Sequence, residues 1–256
     1  MPRRPLTPPV LADWPEGPSA PKLRPGDVHV WLSPLAPDPR RSDTLAKHLS
    51  DAERERASRF RFEEDAHRYR IARGTLRTLL GRYLDVSPGD VAFGETEHGR
   101  PYRLDTHALP DLDFNLSHSG DLALFAFCLG SRVGIDVEWV QPLSDMDALV
   151  DMNFSPNERS IYHALDTEAR QPAFFRCWTR KEAFVKAIGE GLSHPLDAFD
   201  VTLGADEPPR LLRLASAPGD LGRWSLYALE PSEGYAAALA VETPTPNVST
   251  FRVPNG

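Results

Sequence analysis

Val133-Gly134-Ile135-Asp136-Val137-Glu138 is the stretch that decides how the chain is interpreted, because apolar residues alternate with other residues along it. The alternation predicts a β-strand with the valines and the isoleucine on one face and with Asp136 and Glu138 on the other. The two carboxylates would point the same way, about 6.5–7 Å apart along the backbone. Any half-exposed strand shows such alternation, so the pattern alone does not define a site.

A second stretch, Trp178-Thr179-Arg180-Lys181-Glu182-Ala183-Phe184-Val185-Lys186, has the spacing of a helix. Trp178, Glu182 and Lys186 recur every four residues, which places an aromatic ring, a carboxylate and an ammonium on one face. If this face meets the acidic face of the strand, three carboxylates can surround one hard cation. Oxygen ligands beside lysines suit Mg²⁺ shared with substrate phosphates. The plainer alternative is an ordinary Glu–Lys pair on a helix surface.

A third stretch, Phe114-Asn115-Leu116-Ser117-His118-Ser119-Gly120, precedes an apolar, strand-like run at 122–129. With Gly99-Arg100-Pro101, these stretches stand in the order found in 4′-phosphopantetheinyl transferases of the Sfp type, which the chain resembles over roughly residues 48–201. Four ordered motifs are far more specific than one. The resemblance implies an α+β fold of two pseudo-symmetric halves, each an antiparallel sheet packed with a long helix, with the ligand between them.

The resemblance also implies a reaction and its catalytic residues. The expected enzyme moves the 4′-phosphopantetheine group of coenzyme A onto a serine of an apo acyl, peptidyl or aryl carrier protein and releases 3′,5′-adenosine bisphosphate. By resemblance, Asp136, Glu138 and Glu182 would hold Mg²⁺ as the cofactor. Lys181 and Lys186 would contact the pyrophosphate, and either Glu182 or a metal-bound water would take the serine proton.

Further residues are implied for the nucleotide end of coenzyme A. Arg56 and Arg68 would lie near the 3′-phosphate and the adenine, and Arg100 would lie next to the nucleotide, where its guanidinium can bind a phosphate through two hydrogen bonds. His118 would contact the 3′-phosphate, with Ser117 beside it. Without the motif, a lone histidine near a core is more often simply hydrogen-bonded.

Two positions depart from the family pattern. Glu53 stands where members often have a basic residue, and Tyr69 stands where they have a smaller one. The contacts to the 3′-phosphate therefore stay open. Most arginines between 54 and 77 are individually expected to be surface residues or partners of nearby glutamates.

Composition excludes several classes of protein. The 256 residues are 41% hydrophobic, which is enough for one sizeable domain or two small ones, and no apolar run reaches the length of a membrane span. No signal peptide is expected, and Cys128 and Cys177 are predicted to be reduced, buried thiols of a cytoplasmic protein. A formal net charge of −8 argues against nucleic-acid binding, so an acidic carrier protein would need a local basic patch.

The chain is expected to divide into a proline-rich, poorly ordered tail at 1–24, an N-terminal half at 25–131, a C-terminal half with the metal site at 132–243, and a second tail at 244–256. The boundary between the halves follows from the resemblance. Because one chain supplies both halves, we expect a monomer; the smaller, acyl-carrier-protein-synthase type builds its sites between subunits.

Local signals place the main elements. Ser50 and Glu53 form a capping box that opens a helix reaching about residue 60, and a longer helix is predicted at 63–84. Ser155 reads as another helix start. The segment at 142–159 is interpreted as irregular; its apolar residues could close the core, and the resemblance implies that such a region helps to receive the carrier protein. A helix at 173–188 is predicted to follow Pro172.

The sequence leaves two alternative functions to consider. One is a non-catalytic coenzyme A or carrier-protein binding module of the same fold, which would not require the full acidic set. The other is transfer of a different phosphoryl group from a nucleotide, which is disfavoured because no Walker loop is present. The sequence does not choose among carriers of fatty acid, polyketide, nonribosomal peptide or lysine synthesis.

Overall fold

The structure is a computed structural model that describes residues 11–36, 38–97, 100–104, 109, 111–191, 194–215 and 217–254. Its helices are, in chain order, α1 Pro39–Ala46, α2 Asp51–Ser58, α3 Glu63–Leu84, α4 Met146–Asn153, α5 Pro156–His163 and α6 Thr167–Ile188. Its strands are β1 Asp27–Pro34, β2 Phe93–Glu95, β3 Pro101–Arg103, β4 Leu112–Ser119, β5 Leu122–Leu129, β6 Val133–Trp139, β7 Phe199–Val201, β8 Leu211–Leu214, β9 Ser225–Leu229, β10 Tyr235–Val241 and β11 Asn247–Arg252. None of the helices within these ranges is long and apolar enough to cross a membrane.

Two larger sheets carry the fold. One has the strand order β11-β1-β5-β4 and the other β6-β10-β9, and two-stranded sheets join β2 to β3 and β7 to β8. The expected antiparallel pairing holds for β1–β5, β4–β5, β6–β10 and β9–β10. The fold is therefore the α+β arrangement implied by the resemblance.

Each larger sheet is covered by one 22-residue helix, and an apolar core lies between the sheets. Side chains of β1 alternate between two cores. Val30 and Leu32 face the core between the sheets, while Trp31 faces the core beneath α3. A third core lies under α6, around Phe174, Phe184 and their neighbours. The molecule is thus layered as α3, sheet, sheet and α6.

Several predicted elements are confirmed. Helix α3 has the predicted bounds, the predicted capping box of Ser50 and Glu53 is formed, and Ser155 caps the start of α5 as predicted. Helix α2 ends at Ser58, two residues before the predicted end. Cys128 and Cys177 are buried and free.

The prediction that Pro172 precedes the last helix was wrong, because α6 begins at Thr167 and contains Pro172. A proline removes one backbone hydrogen bond from a helix. Here it removes that bond in the second turn, and the residues that follow, Ala173 and Phe174, are anchored in the core. The segment at 142–159 is also more regular than predicted, since it contains α4 and the start of α5.

In both predicted tails, backbone groups are hydrogen-bonded to other parts of the chain. Residues 1–10 lie outside the described residues, but Ala12 N donates to Pro231 O and Gly17 N donates to Arg252 O, at 2.9 Å each. Strand β11 lies within the predicted C-terminal tail and pairs in parallel with β1. This ordered structure could not be predicted from composition, because contacts between distant parts of the chain produce it.

Candidate active site

Gly134 lets α6 lie directly against β6. A Cβ atom at this position would overlap the carbonyl oxygen of Ala183 and the amide nitrogen of Ala187. Only a residue without a side chain permits such a close approach of helix and strand. The contact brings the side chains of Glu182 and Lys186 to the acidic face of the strand.

The strand has the predicted alternation. Val133, Ile135 and Val137 pack in the core between the sheets, whereas Asp136 meets Lys186 of α6. Asp136 is only 1% exposed and Lys186 Nζ lies 2.5 Å from its Oδ1 atom. The two stretches that sequence analysis singled out therefore do come together.

Ser117 of β4 completes this contact. Its hydroxyl donates to Asp136 Oδ1 at 2.9 Å and accepts from Lys186 Nζ at 3.0 Å. A hydroxyl has one proton and two lone pairs, so it can serve the anion and the cation together. Ser117 was predicted beside the 3′-phosphate, but here it links the ammonium and the carboxylate.

Glu138 and Glu182 resist ionisation. Burial, followed by the nearby Asp136 carboxylate, raises the pKa of Glu138 from 4.5 to about 7. Burial also raises the pKa of Glu182; Lys186 opposes that rise and Asp136 adds to it. The three carboxylates thus share one poorly solvated region.

The residues fit a divalent cation by their chemistry. Asp136 Oδ2 and Glu182 Oε1 are buried oxygens without a hydrogen-bond partner among the described residues. Within the described residues, no three carboxylates are already positioned to bind one metal ion. The Lys186 ammonium neutralises Asp136 instead. Partnerless oxygens and mutually repelling carboxylates are what an oxygen-preferring cation such as Mg²⁺ would relieve.

A cleft of about 600 Å³ opens beside this cluster, and both halves of the chain line it. This volume is typical of small-molecule sites. The predicted site residues in its wall are Arg56, Arg100, Ser117, His118, Glu182 and Lys186. Phe60 and Arg73, which sequence analysis missed, also line the cleft, as does Tyr69, which sequence analysis noted only as a departure from the family pattern.

His118 is an exposed residue in the cleft wall. The protein that surrounds the imidazole ring partly removes it from water, which lowers the pKa of His118, and the nearby cations Lys186 and Arg68 lower this pKa further. Arg68 stands outside the wall and pairs with Asp121 at 3.0 Å and with Asp65 at 3.1 Å. Of the three residues predicted near the 3′-phosphate, His118 and Arg56 line the cleft, whereas Arg68 does not but is close enough to His118 to influence its charge.

Arg100 lies in the cleft wall, and both terminal nitrogens of its guanidinium are hydrogen-bonded within the protein. Nη1 donates to the Lys186 carbonyl oxygen at 2.6 Å, and Nη2 donates to both Asp113 carboxylate oxygens at 2.9 Å and to Phe114 O at 3.2 Å. Arg100 thus ties the end of α6 to β4. These bonds connect the two halves and satisfy a carbonyl of the last helical turn.

The prediction that Lys181 contacts the pyrophosphate was wrong. Its side chain is fully buried and lies 2.8 Å from the equally buried Glu158 carboxylate. Nζ also donates to Leu196 O and Phe199 O, at 2.7 Å each. All three donors of the ammonium are occupied inside the C-terminal half, so Lys181 is a structural residue.

Glu53, which departs from the family pattern, has a structural explanation. It is buried, and its carboxylate lies 2.5 Å from Arg73 Nε and 2.7 Å from Arg77 Nε. It therefore joins α2 to α3 and fixes Arg73 in the cleft wall. Tyr69 packs beside Phe60, with ring centroids 5.4 Å apart.

An acidic cluster and a lysine lie at one side of a cleft that contains further cations, and this arrangement indicates the class of protein, an enzyme. The family model described as the 4′-phosphopantetheinyl transferase superfamily matches residues 132–240, and the model of the N-terminal part of a 4′-phosphopantetheinyl transferase matches residues 35–129. The chain belongs to the 4′-phosphopantetheinyl transferase family. It is a transferase that modifies carrier proteins by using coenzyme A.

Curated relatives support this membership. The 4′-phosphopantetheinyl transferase HetI of Nostoc is 40% identical over 215 residues, covering 84% of this chain and 87% of the relative. The Bacillus subtilis strain 168 enzyme Sfp is 37% identical and covers 64% of this chain and 71% of the relative. The L-aminoadipate-semialdehyde dehydrogenase-phosphopantetheinyl transferase of Schizosaccharomyces pombe is 34% identical, with coverages of 59% and 63%.

Proposed function

We propose that the enzyme uses Mg²⁺ to transfer the 4′-phosphopantetheine group of coenzyme A onto a serine hydroxyl of apo carrier domains of fatty acid, polyketide or nonribosomal peptide synthases. The observation that carries this proposal is the contact between Asp136 and Lys186 at the wall of the cleft, beside two carboxylate oxygens that have no hydrogen-bond partner in the described part of the chain. The cleft has room for the nucleotide part of coenzyme A. The binding-module alternative does not explain why costly buried carboxylates are gathered here.

In the proposed reaction the serine oxygen bonds to the β-phosphorus of coenzyme A. The bond between that phosphorus and the bridging oxygen breaks, and 3′,5′-adenosine bisphosphate leaves with the electron pair. The serine proton must go to a base. Glu182 lines the cleft, and its raised pKa makes it a better acceptor than an ordinary glutamate.

Asp136, Glu138 and Glu182 would hold Mg²⁺, which would supply positive charge to the pyrophosphate. Lys186 orients Asp136 and lines the cleft, so its ammonium can also stabilise the negative charge of the pyrophosphate. Ser117 keeps the Lys186 ammonium and the Asp136 carboxylate together.

The nucleotide end would lie against the wall formed by the N-terminal half. Phe60 and Tyr69 provide aromatic surface there, and the Arg56 guanidinium lies 5.6 Å from the centroid of the Tyr69 ring. His118 could bind the 3′-phosphate, because a phosphate would favour its protonated form. We further propose a cytoplasmic monomer whose two halves meet near residue 131.

The direct test is incubation with coenzyme A, Mg²⁺ and a panel of apo carrier proteins, followed by intact-mass measurement. Wild type should convert at least one carrier to its holo form, while Asp136→Ala should fold and give no product. Failure of wild type with every carrier would favour the binding module. Wild-type turnover by Asp136→Ala across a Mg²⁺ titration would remove Asp136 from the site.

Glu182→Gln separates the two roles proposed for Glu182, because it keeps the shape and removes the charge. A ligand role predicts that the variant binds Mg²⁺ more weakly and recovers much of its rate at high Mg²⁺. A base role predicts a deficit of about 10²–10⁴-fold at every Mg²⁺ concentration. An unchanged rate throughout would contradict both roles.

A further inference from the structure

Strand β6 is an edge strand of its sheet, and its edge opposite β10 faces β4. Side chains of β4 accept the hydrogen bonds that the backbone of a neighbouring strand would otherwise accept. Four alternate amides of β6 donate to four alternate side chains of β4. The pairs are Val133 N to Asp113 Oδ2 at 2.9 Å, Ile135 N to Asn115 Oδ1 at 3.0 Å, Val137 N to Ser117 Oγ at 3.4 Å and Trp139 N to Ser119 Oγ at 3.1 Å. We call these four pairs the side-chain ladder.

The ladder fixes the register between the two halves of the chain. Alternate amides of a strand point to the same edge, and each rung here joins residues with the same sequence separation of 20. A shift by one residue would break every rung at once. The acidic strand is therefore held in a single position relative to the strand that carries His118.

The last rung also reaches a proposed metal ligand. Ser119 Oγ accepts from Trp139 N and lies 2.8 Å from Glu138 Oε2. Because the amide already uses a lone pair, the single hydroxyl proton is available to the carboxylate. Glu138 is thereby oriented from β4, on the opposite half of the chain.

We propose that Ser119 is a positioning residue that orients Glu138 for a divalent cation. This inference rests on the proposed function. Hydrogen bonds to a ligating carboxylate fix its orientation, and removing such a partner typically weakens metal binding by about 10- to 100-fold. Ser119 differs from Asn115, whose rung has a backbone partner but involves no carboxylate of the acidic cluster.

The test uses the full chain with Mn²⁺ as the probe, in the presence of coenzyme A, and measures the Mn²⁺ dissociation constant by calorimetry. Ser119→Ala should weaken Mn²⁺ binding by about tenfold, and Ser119→Thr, which keeps the hydroxyl, should remain within about twofold of wild type. In the transfer assay, saturating metal should restore most of the Ser119→Ala rate without changing KM for coenzyme A. If Ser119→Ala does not fold, Ser119→Cys keeps a similar size with a weak donor and should show the same direction of loss.

Ser50→Ala is the matched control, because Ser50 Oγ also accepts from a backbone amide, that of Glu53, but lies in the cap of α2. This variant should lower the melting temperature and leave Mn²⁺ affinity unchanged. Wild-type affinity in Ser119→Ala, or equal weakening in Ser119→Thr, would overturn the inference alone. A wild-type protein that neither binds Mn²⁺ nor transfers the group would overturn both the inference and the proposed function.

Discussion

At the scale of single residues, Lys181 and Lys186 share one helix but have different surroundings. Lys181 is sealed inside the C-terminal half with Glu158, whereas the Lys186 side chain is 29% exposed and reaches the cleft. Lys181 has apolar residues at the helical neighbour positions −4, +3 and +4, which are Cys177, Phe184 and Val185. That spacing is typical of a side chain that points into the core, but the motif resemblance instead led to the prediction that Lys181 contacts the substrate.

Methionine substitutions should separate the two lysines. Lys181→Met leaves the Glu158 carboxylate buried without its partner, so we expect a loss of about 3–5 kcal/mol in unfolding free energy and near-normal KM for coenzyme A in the folded fraction. Lys186→Met also removes the cation that pairs with the buried Asp136 carboxylate, so it should cost stability too, but it should in addition lower the transfer rate of the folded protein at least tenfold. Denaturant unfolding and transfer kinetics measure both effects. A stable but inactive Lys181→Met protein would return Lys181 to the substrate site.

Glu138 predicts an unusual dependence of stability on pH. Its folded pKa of about 7 lies above its ordinary value of 4.5, so the folded state binds more protons than the unfolded state between these values. Stability from this group is fully present below about pH 4.5 and is lost as the pH rises through about 7. Without metal, the melting temperature should therefore fall between pH 5.5 and pH 8, beyond any fall seen in Glu138→Gln. Identical pH profiles for the two proteins would show that Glu138 is ordinarily solvated.

At the scale of elements, the contact between α6 and β6 decides the geometry of the acidic cluster. Gly134→Ala should push the helix away from the strand, because the added Cβ overlaps backbone atoms that have no rotamer to adopt. We expect a loss of about 1–3 kcal/mol in unfolding free energy, and transfer should require a higher Mg²⁺ concentration than in wild type. Gly222→Ala is the control, since an added Cβ there meets no atom of the described residues within 4 Å. Equal, small effects of both substitutions would mean that α6 adjusts freely.

The elements predicted well are those with local signals. Helix α3 has a periodic apolar stripe, and the capping boxes at Ser50 and Ser155 require only residues three positions apart. Strand β11 has no such signal, because its partner β1 lies about 220 residues away along the chain. The side-chain ladder had a visible pattern, Asp113, Asn115, Ser117 and Ser119 at alternate positions, but its partner strand could not be deduced from β4 alone.

At the scale of the whole molecule, the site depends on local charge and not on net charge. The chain carries a formal net charge of −8, yet the cleft wall contains Arg56, Arg73, Arg100 and Lys186. The family motifs predicted which stretches meet, as the contact between Asp136 and Lys186 shows. They did not predict which cations are already neutralised by the protein, because Arg100 and Lys181 are paired with acceptors that the motifs do not include.

The cleft takes residues from both halves of one chain, which predicts how inactive variants behave when they are mixed. His118 belongs to β4 in the N-terminal half, and Asp136 belongs to β6 in the C-terminal half. If one chain forms a complete site, a mixture of His118→Ala and Asp136→Ala proteins should show only the sum of their separate residual rates. A site built between subunits would instead combine a wild-type half from each variant and restore part of the activity. Light scattering should give the mass of one chain, and the specific activity of wild type should not change with protein concentration. Recovery of activity on mixing, or the mass of a trimer, would contradict the single-chain site.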